Sequence, residues 1–217
     1  MFGAPPDPTV FPVNWATFVD ESDNDGSMFD LDDFVGRCRQ ALKETEPRIA
    51  IREELARAVA VPITVADALA PTDAGFSILH HAPDMTILHV VWAPKMTIYP
   101  HNHRMWAAIG IYAGQEDNAF YRRSGPGERT LVESGGKRLA DGDTVLLGVD
   151  TIHGVTNPRD VLTGAIHVYG GDFVNEPRSQ WGPGPVEERP CDIEEARRQF
   201  AEANDAWHAA DRGSGSA

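Results

Sequence analysis

The rhythm of hydrophobic positions changes twice along this chain. Between residues 31 and 42 the apolar side chains Leu31, Phe34, Val35, Cys38 and Leu42 recur every three or four positions, the spacing of one helix face. Ile49, Ile51, Leu55 and Val59 continue a second helical run, with Pro47 breaking the chain before it and Pro62 stopping it. Beyond residue 75 the rhythm shortens. Residues 76–79, 86–92, 105–112, 119–122, 130–133, 144–147 and 162–169 are short runs rich in β-branched and aromatic side chains, which predicts strands. Turn signals lie between them: Ala82-Pro83-Asp84, Ala113-Gly114, Ser124-Gly125-Pro126-Gly127, Ser134-Gly135-Gly136, Asp141-Gly142-Asp143 and Asn157-Pro158. Strands at this rhythm, with no helix between them, predict an antiparallel sandwich or barrel. Gly182-Pro183-Gly184-Pro185 reads as a loop. Asp192 then stands where a helix cap belongs, with Glu195 three residues on. Phe200, Ala203, Trp207 and Ala210 follow at helical spacing, as a face packing onto the barrel.

The remaining stretches predict little regular structure. They are a lead with Pro5, Pro6, Pro8 and Pro12, an acidic segment over residues 20–25 and a Gly/Ser tail over residues 213–217. The expected organisation is one structural domain. Residues 1–70 form an N-terminal extension and helices packing on the barrel, 71–175 the β-barrel, and 176–217 a C-terminal loop and helix.

Composition narrows the function classes. The chain has 217 residues, with 33 acids against 19 bases and a formal net charge of −14. Such a surface repels phosphate backbones and anionic lipid heads, so no nucleic-acid or membrane partner is expected. No apolar run approaches the roughly 20 residues of a membrane-spanning helix. The first residues lack the basic start and apolar stretch of a secretory signal, and a cytoplasmic location is expected. Cys38 and Cys191 are far apart and fit no paired metal spacing, which suits two reduced thiols. Gly125-Pro126-Gly127 lacks the Lys-Ser/Thr of a phosphate loop. The expected partner is a small molecule, and a homodimer is compatible with the sequence.

Histidine carries the chemistry. There are eight: His80, His81, His89, His101, His103, His153, His167 and His208. The tightest signal is Pro100-His101-Asn102-His103. In a strand, residues i and i+2 share a face, so His101 and His103 can aim both imidazoles at one ion. The competing reading is a pair of exposed loop histidines. A second segment runs from Gly142 through Gly148 and Asp150 to His153 and Asn157: a turn glycine, a strand, a tight loop, then a histidine opening the next strand.

Together these two segments resemble the paired motifs of the cupin superfamily. That resemblance implies a mainly β fold, a jelly roll or double-stranded β-helix, here with N-terminal helices and a C-terminal helix. His101, His103 and Gly114 match the first motif, with Ala107 in its glutamate position. Gly142, His153 and Asn157 match the second, with Gly148 and Asp150 replacing the usual turn residues. Three histidines without a carboxylate are similar to the thiol dioxygenase branch, the cysteine dioxygenase-like proteins. Trp92, nine residues before His101, agrees. So does Ala165-Ile166-His167-Val168-Tyr169, which resembles the Ser-x-His-x-Tyr relay of those enzymes with Ala165 in the serine position. The resemblance covers roughly residues 76–173 and extends to predicted metal-dependent enzymes of the double-stranded β-helix type.

The resemblance implies a mononuclear non-haem Fe(II) site, with Zn, Ni, Mn or Cu as other divalent candidates. His101, His103 and His153 would be the metal ligands, and His167 and Tyr169 would position oxygen or substrate. The implied reaction is oxidation of a small thiol by O2 to a sulfinic acid. The alternatives are a lyase, an isomerase, an oxygenase acting on a non-thiol chelating substrate, or a ligand-binding cupin without turnover. Two departures point away from cysteine as substrate. No arginine occurs between Arg57 and Arg104, where cysteine dioxygenase has its carboxylate clamp, and Ala108 lies near the position of its cross-linking cysteine. Trp92, Arg104, His89 and His81 are candidate substrate contacts. Arg104 would sit on the face opposite His103, His80 and His81 would face opposite ways, and His89, alternating with Ile87 and Val91, reads first as a satisfied core histidine.

Overall fold

The computed structural model describes residues 28–182 and 187–214. The proline-rich lead, the acidic segment over 20–25, Pro183 to Pro185 and residues 215–217 lie outside the described residues. Chain order begins with three helices, α1 (Leu31–Ala41), α2 (Pro47–Val59) and α3 (Pro62–Leu69). Asp30 caps α1, its carboxylate accepting from the Asp33 amide at 2.9 Å, and Asp32 and Asp33 sit at the positive end of the helix. Pro47 and Pro62 each occupy the first turn of a helix, where their missing N–H costs nothing. The proline expected to stop the second helix therefore opens a third one that the sequence pattern had not shown.

Eleven strands follow among the described residues. They are β1 (Gly75–Ala82), β2 (Met85–Trp92), β3 (Thr97–Asn102), β4 (Ala107–Ala113), β5 (Gln115–Arg123), β6 (Leu131–Ala140), β7 (Thr144–Leu147), β8 (Ile152–Thr156), β9 (Thr163–Tyr169), β10 (Ser179–Trp181) and β11 (Glu188–Pro190). One sheet has the order β1-β2-β9-β4-β7 and the other β11-β10-β3-β8-β5-β6, with antiparallel pairing throughout. Within these sheets, β2-β9-β4-β7 faces β3-β8-β5-β6, and the chain crosses between them at nearly every connection. That is the double-Greek-key order of a jelly roll. The fold is mainly β, as expected, with helices before and after it.

The first sheet is covered on both faces. Leu88, Val90, Ile109, Ile111 and Ala165 point between the sheets, while Ile87, Ala108, Tyr112, Ile166 and Val168 pack against Phe34, Cys38, Ile51, Leu55 and Val59 of the helices. Every residue of β2, β4 and β9 is buried, which is why they read as continuous apolar runs rather than alternating ones. Gly110 permits the close approach of α2, since a Cβ there would lie 2.8 Å from Leu55 Cγ.

Two expectations need correction. Ser134-Gly135-Gly136 is not a turn. β6 runs through it, paired to β5, and Ser134 is the extra residue of a bulge between the Phe120–Gly135 and Tyr121–Glu133 pairs. The segment after residue 175 is also more than loop and helix. β10 adds to the edge of β3, β11 pairs with β10, and α4 (Ile193–Ser214) follows. Asp192 caps α4 through the Glu194 and Glu195 amides, but the Glu195 carboxylate turns to Arg189 and Gln180 instead of closing a capping box. Phe200 on α4 stacks on Trp92 at 5.3 Å and meets the edge of Phe76 at 5.6 Å. No helix among the described residues is long and apolar enough to cross a membrane.

Candidate metal centre

β3 and β8 lie side by side with His101 directly opposite His153. β3 ends at Asn102, whose side-chain oxygen accepts from the Ser179 amide at 2.9 Å and holds β10 against it. His103 follows just past the strand, before Arg104 turns the backbone at φ 56°. The expected strand pair is thus one strand residue and one residue in the turn beyond it. His103 Nε2 stands 3.2 Å from His101 Nε2 and 3.2 Å from His153 Nε2. The three donor atoms all lie within 4.8 Å of one another.

This spacing suits a shared ion. Nitrogens bound about 2.1 Å from a common centre sit roughly 3.0 Å apart at octahedral angles and roughly 3.4 Å apart at tetrahedral ones. The observed 3.2 Å falls between these values. The other ring nitrogens support it. His153 Nδ1 donates to Asn118 Oδ1 at 2.6 Å and His101 Nδ1 donates to the Tyr99 carbonyl at 3.0 Å, which leaves each Nε2 as a bare lone pair. Burial holds His101 down at about 4. Burial first, then neighbouring imidazoles, holds His103 and His153 well below the usual imidazole value. His103 Nδ1 is buried without a partner, so no neighbour holds the His103 proton away from Nδ1, and with two fixed lone pairs beside its Nε2 the donor set fits a divalent cation.

The imidazoles open into a cavity of about 90 Å³. Its walls are mostly apolar, with Phe76, Leu88, Val90, Ile98, Val155 and Phe200 among them. His167 and Tyr169, on one face of β9, also line it, and His167 Nδ1 and the Tyr169 hydroxyl are 3.0 Å apart. The Tyr169 ring meets His103 edge-on at 5.0 Å, and burial raises its phenol well above the usual value. Trp92 lines the cavity and donates its indole N–H to Glu116 at 2.9 Å.

Two functional candidates escaped the sequence reading. Glu116 is a fully buried carboxylate, bonded to Trp92 and to Asn118, with His167 Nε2 at 3.6 Å. It lies on β5 upstream of the stretch expected to be strand, and the inward alternation of Glu116, Asn118 and Phe120 was the available signal. Arg178 comes from the segment read as loop. Its guanidinium lies 3.7 Å over the Phe173 ring, and Phe173 stacks on Tyr169 at 3.9 Å. Arg178 lines the cavity, its Nε is buried without a hydrogen-bond partner, and its charge helps hold down the His101 and His103 pKa values.

The other candidates lie outside the cavity walls. His89 points to the helix side of its sheet and shares a 2.6 Å hydrogen bond with Tyr112. Burial lowers its pKa to about 4, as suits a neutral core histidine. His81 bonds Asp172 at 2.7 Å near the surface, and Arg104 is exposed because the turn after His103 swings it outward. Asn157 acts as a loop staple, its amide nitrogen facing the Trp92, Ala93 and Val161 carbonyls. Gly114 takes φ 83°, and a Cβ there would lie 2.4 Å from Thr163 Oγ1.

No family model matches the chain, and no curated protein matches it. Solved structures do. One is an uncharacterized double-stranded β-helix protein from Klebsiella pneumoniae, with 15% identity, a TM-score of 0.39, and 51% of this chain and 82% of that one covered. An RmlC-like cupin family protein from Methanocaldococcus jannaschii shows 11% identity and a TM-score of 0.40 over 48% of this chain and 84% of that one. Oxalate decarboxylase from Bacillus subtilis shows 11% identity and a TM-score of 0.35 over 43% of this chain and 22% of that one. These likenesses concern fold alone, and the strand order described above stands independently of them.

Proposed function

We propose that the protein is a cupin enzyme, a mononuclear Fe(II) dioxygenase that oxidises a small thiol carrying an anionic group, RSH + O2 → RSO2H. The observation that carries this reading is the all-imidazole ligand set of His101, His103 and His153 opening into a mostly apolar cavity that also holds one unpaired cation, Arg178. Iron(II), when bound, would supply vacant coordination positions, acidify the thiol and exchange electrons between sulfur and O2.

The chain's own residues supply the rest. No carboxylate joins the ligand set, so the full dication charge favours an anionic sulfur donor. Arg178 has no carboxylate partner among the described residues, and it offers its guanidinium to the substrate's anionic end while Phe173 fixes its plane. That arginine would supply from another segment the carboxylate contact whose absence upstream of His101 pointed away from cysteine. Apolar walls limit competing water, and Tyr169, held to His167, presents its ring edge-on to His103 in the same cavity. Three neutral imidazoles also suit Zn, Ni or Cu, so a lyase or isomerase using such an ion as a Lewis acid is the second reading.

Oxygen uptake by the Fe(II)-loaded protein across ω-mercapto acids and neutral thiols tests the proposal. One O2 consumed per thiol, a sulfinate product and loss of both in His153→Ala are expected. Iron binding without uptake on any thiol overturns the dioxygenase reading and leaves the Lewis-acid one.

A further inference from the structure

Among the described residues, Glu116 is the one buried carboxylate, and the proposed reaction leaves it unused. It has no solvent exposure. Its Oε1 accepts from Asn118 Nδ2 at 2.9 Å and its Oε2 accepts from Trp92 Nε1 at 2.9 Å. The indole N–H can only donate, so the group facing it must be an acceptor. Burial alone would raise the pKa of Glu116, but the hydrogen-bond donors facing it lower it. N–H donors on both of its oxygens suit an ionised carboxylate inside the barrel. The remaining atom facing it is His167 Nε2, 3.6 Å from Oε2, buried and without a nearer partner.

Two consequences follow from counting protons. A lone pair on His167 Nε2 would face the carboxylate lone pairs, so the proton belongs on Nε2. In the neutral ring Nδ1 is then an acceptor, and the Tyr169 hydroxyl 3.0 Å away must donate to it. The phenol oxygen, on a residue that lines the cavity, is then left with lone pairs to accept. On the other side, Glu116 claims the Asn118 amide N–H, which turns Asn118 Oδ1 to His153 Nδ1 at 2.6 Å. That fixes the His153 proton on Nδ1 and frees Nε2 for an ion.

We infer that Glu116 is a positioning residue that sets two proton positions at once: the His167 proton on Nε2, which makes the Tyr169 oxygen an acceptor on the cavity wall, and, through Asn118, the His153 proton on Nδ1. Tyr169 thus offers an acceptor to a hydrogen-bond donor on the bound ligand. This use rests on the metal-site reading above; the proton positions do not.

Long-range 1H–15N correlation on histidine-labelled protein reads the tautomers directly. Spectra are taken without metal and with Zn²⁺, at about pH 8, well above the ordinary imidazole value of about 6.5. His167 is expected as the Nε2–H tautomer in the wild type and in Tyr169→Phe, and His153 as Nδ1–H. In Glu116→Gln the Trp92 N–H, which can only donate, keeps the amide oxygen at the Oε2 position, so the NH2 faces Asn118. Asn118 then turns its own NH2 toward His153, whose Nε2–H form is expected to appear, and Zn²⁺ affinity to fall about tenfold or more in chelator competition, the usual scale for groups behind a ligand. Finding His167 as Nδ1–H or as imidazolium in the wild type overturns the inference, as does an unchanged His153 tautomer in folded Glu116→Gln. If that variant fails to fold, the wild-type and Tyr169→Phe spectra decide alone. Absence of Zn²⁺ binding with the expected tautomers would sink the metal site and leave Glu116's role standing.

Discussion

Phe200→Ala tests whether α4 truly forms one wall of the cavity. The ring is 4% exposed, stacked on Trp92 at 5.3 Å and edge-on to Phe76 at 5.6 Å. Returning a buried phenylalanine to water forfeits about 1.5–3 kcal/mol of transfer free energy. The void left behind and the two lost aromatic pairs bring the total to the 3–5 kcal/mol range typical of such truncations. In a chain of this size each kcal/mol moves Tm by roughly 2–4 °C, so a drop of about 6–20 °C is expected. The assay is thermal and denaturant unfolding of the wild type, Phe200→Leu and Phe200→Ala, with tryptophan fluorescence as a second probe because Trp92 loses its stacked neighbour. Leucine should recover a large part of the loss. A Tm shift under about 2 °C with unchanged fluorescence would refute the reasoning, because it would mean that the ring is not packed between Trp92 and Phe76.

Three further outcomes are expected. Asn118→Leu leaves His153 Nδ1 without an acceptor and Glu116 without one donor, so Zn²⁺ affinity measured against a chelator should fall about 10–100-fold; unchanged affinity would contradict the orienting role. Gly164→Ala should destabilise by at least about 1–3 kcal/mol in denaturant unfolding, since its Cβ would lie 2.2 Å from the Tyr112 ring. Metal-free protein should lose stability as pH falls from about 6.5 toward about 4. His101 is held near 4 when folded, so over that window the unfolded chain takes up a proton the folded one refuses, and stability rises with pH. Unfolding midpoints between pH 7.5 and 4 should show this slope in the wild type and a shallower one in His101→Ala.

α1 and α2 were legible from spacing alone, and so were most strands, because each carries a run of β-branched or aromatic residues; α3 was not, because Pro62 opens it with only eight residues. β3 escaped because Pro100 and two polar residues interrupt it, and β10 and β11 because three-residue strands have no period to detect. The three-histidine cluster was legible because two histidines stood two positions apart and a third followed a turn glycine. Glu116 and Arg178 were not, since their roles depend on which distant strand or segment folds over the barrel. The order of Arg178, Phe173 and Tyr169 in one stack cannot be read from three positions in a line of sequence.

The two sheets are insulated unequally. β2, β4 and β9 lie between two layers of apolar packing, while β6 has only one fully buried position, Leu139. Amide exchange should divide the molecule accordingly. The backbone carrying Trp92, His167 and Tyr169 would open only with the whole protein, whereas β6 would breathe on its own. His153 sits two strands from that restless edge, with β5 as the buffer between them.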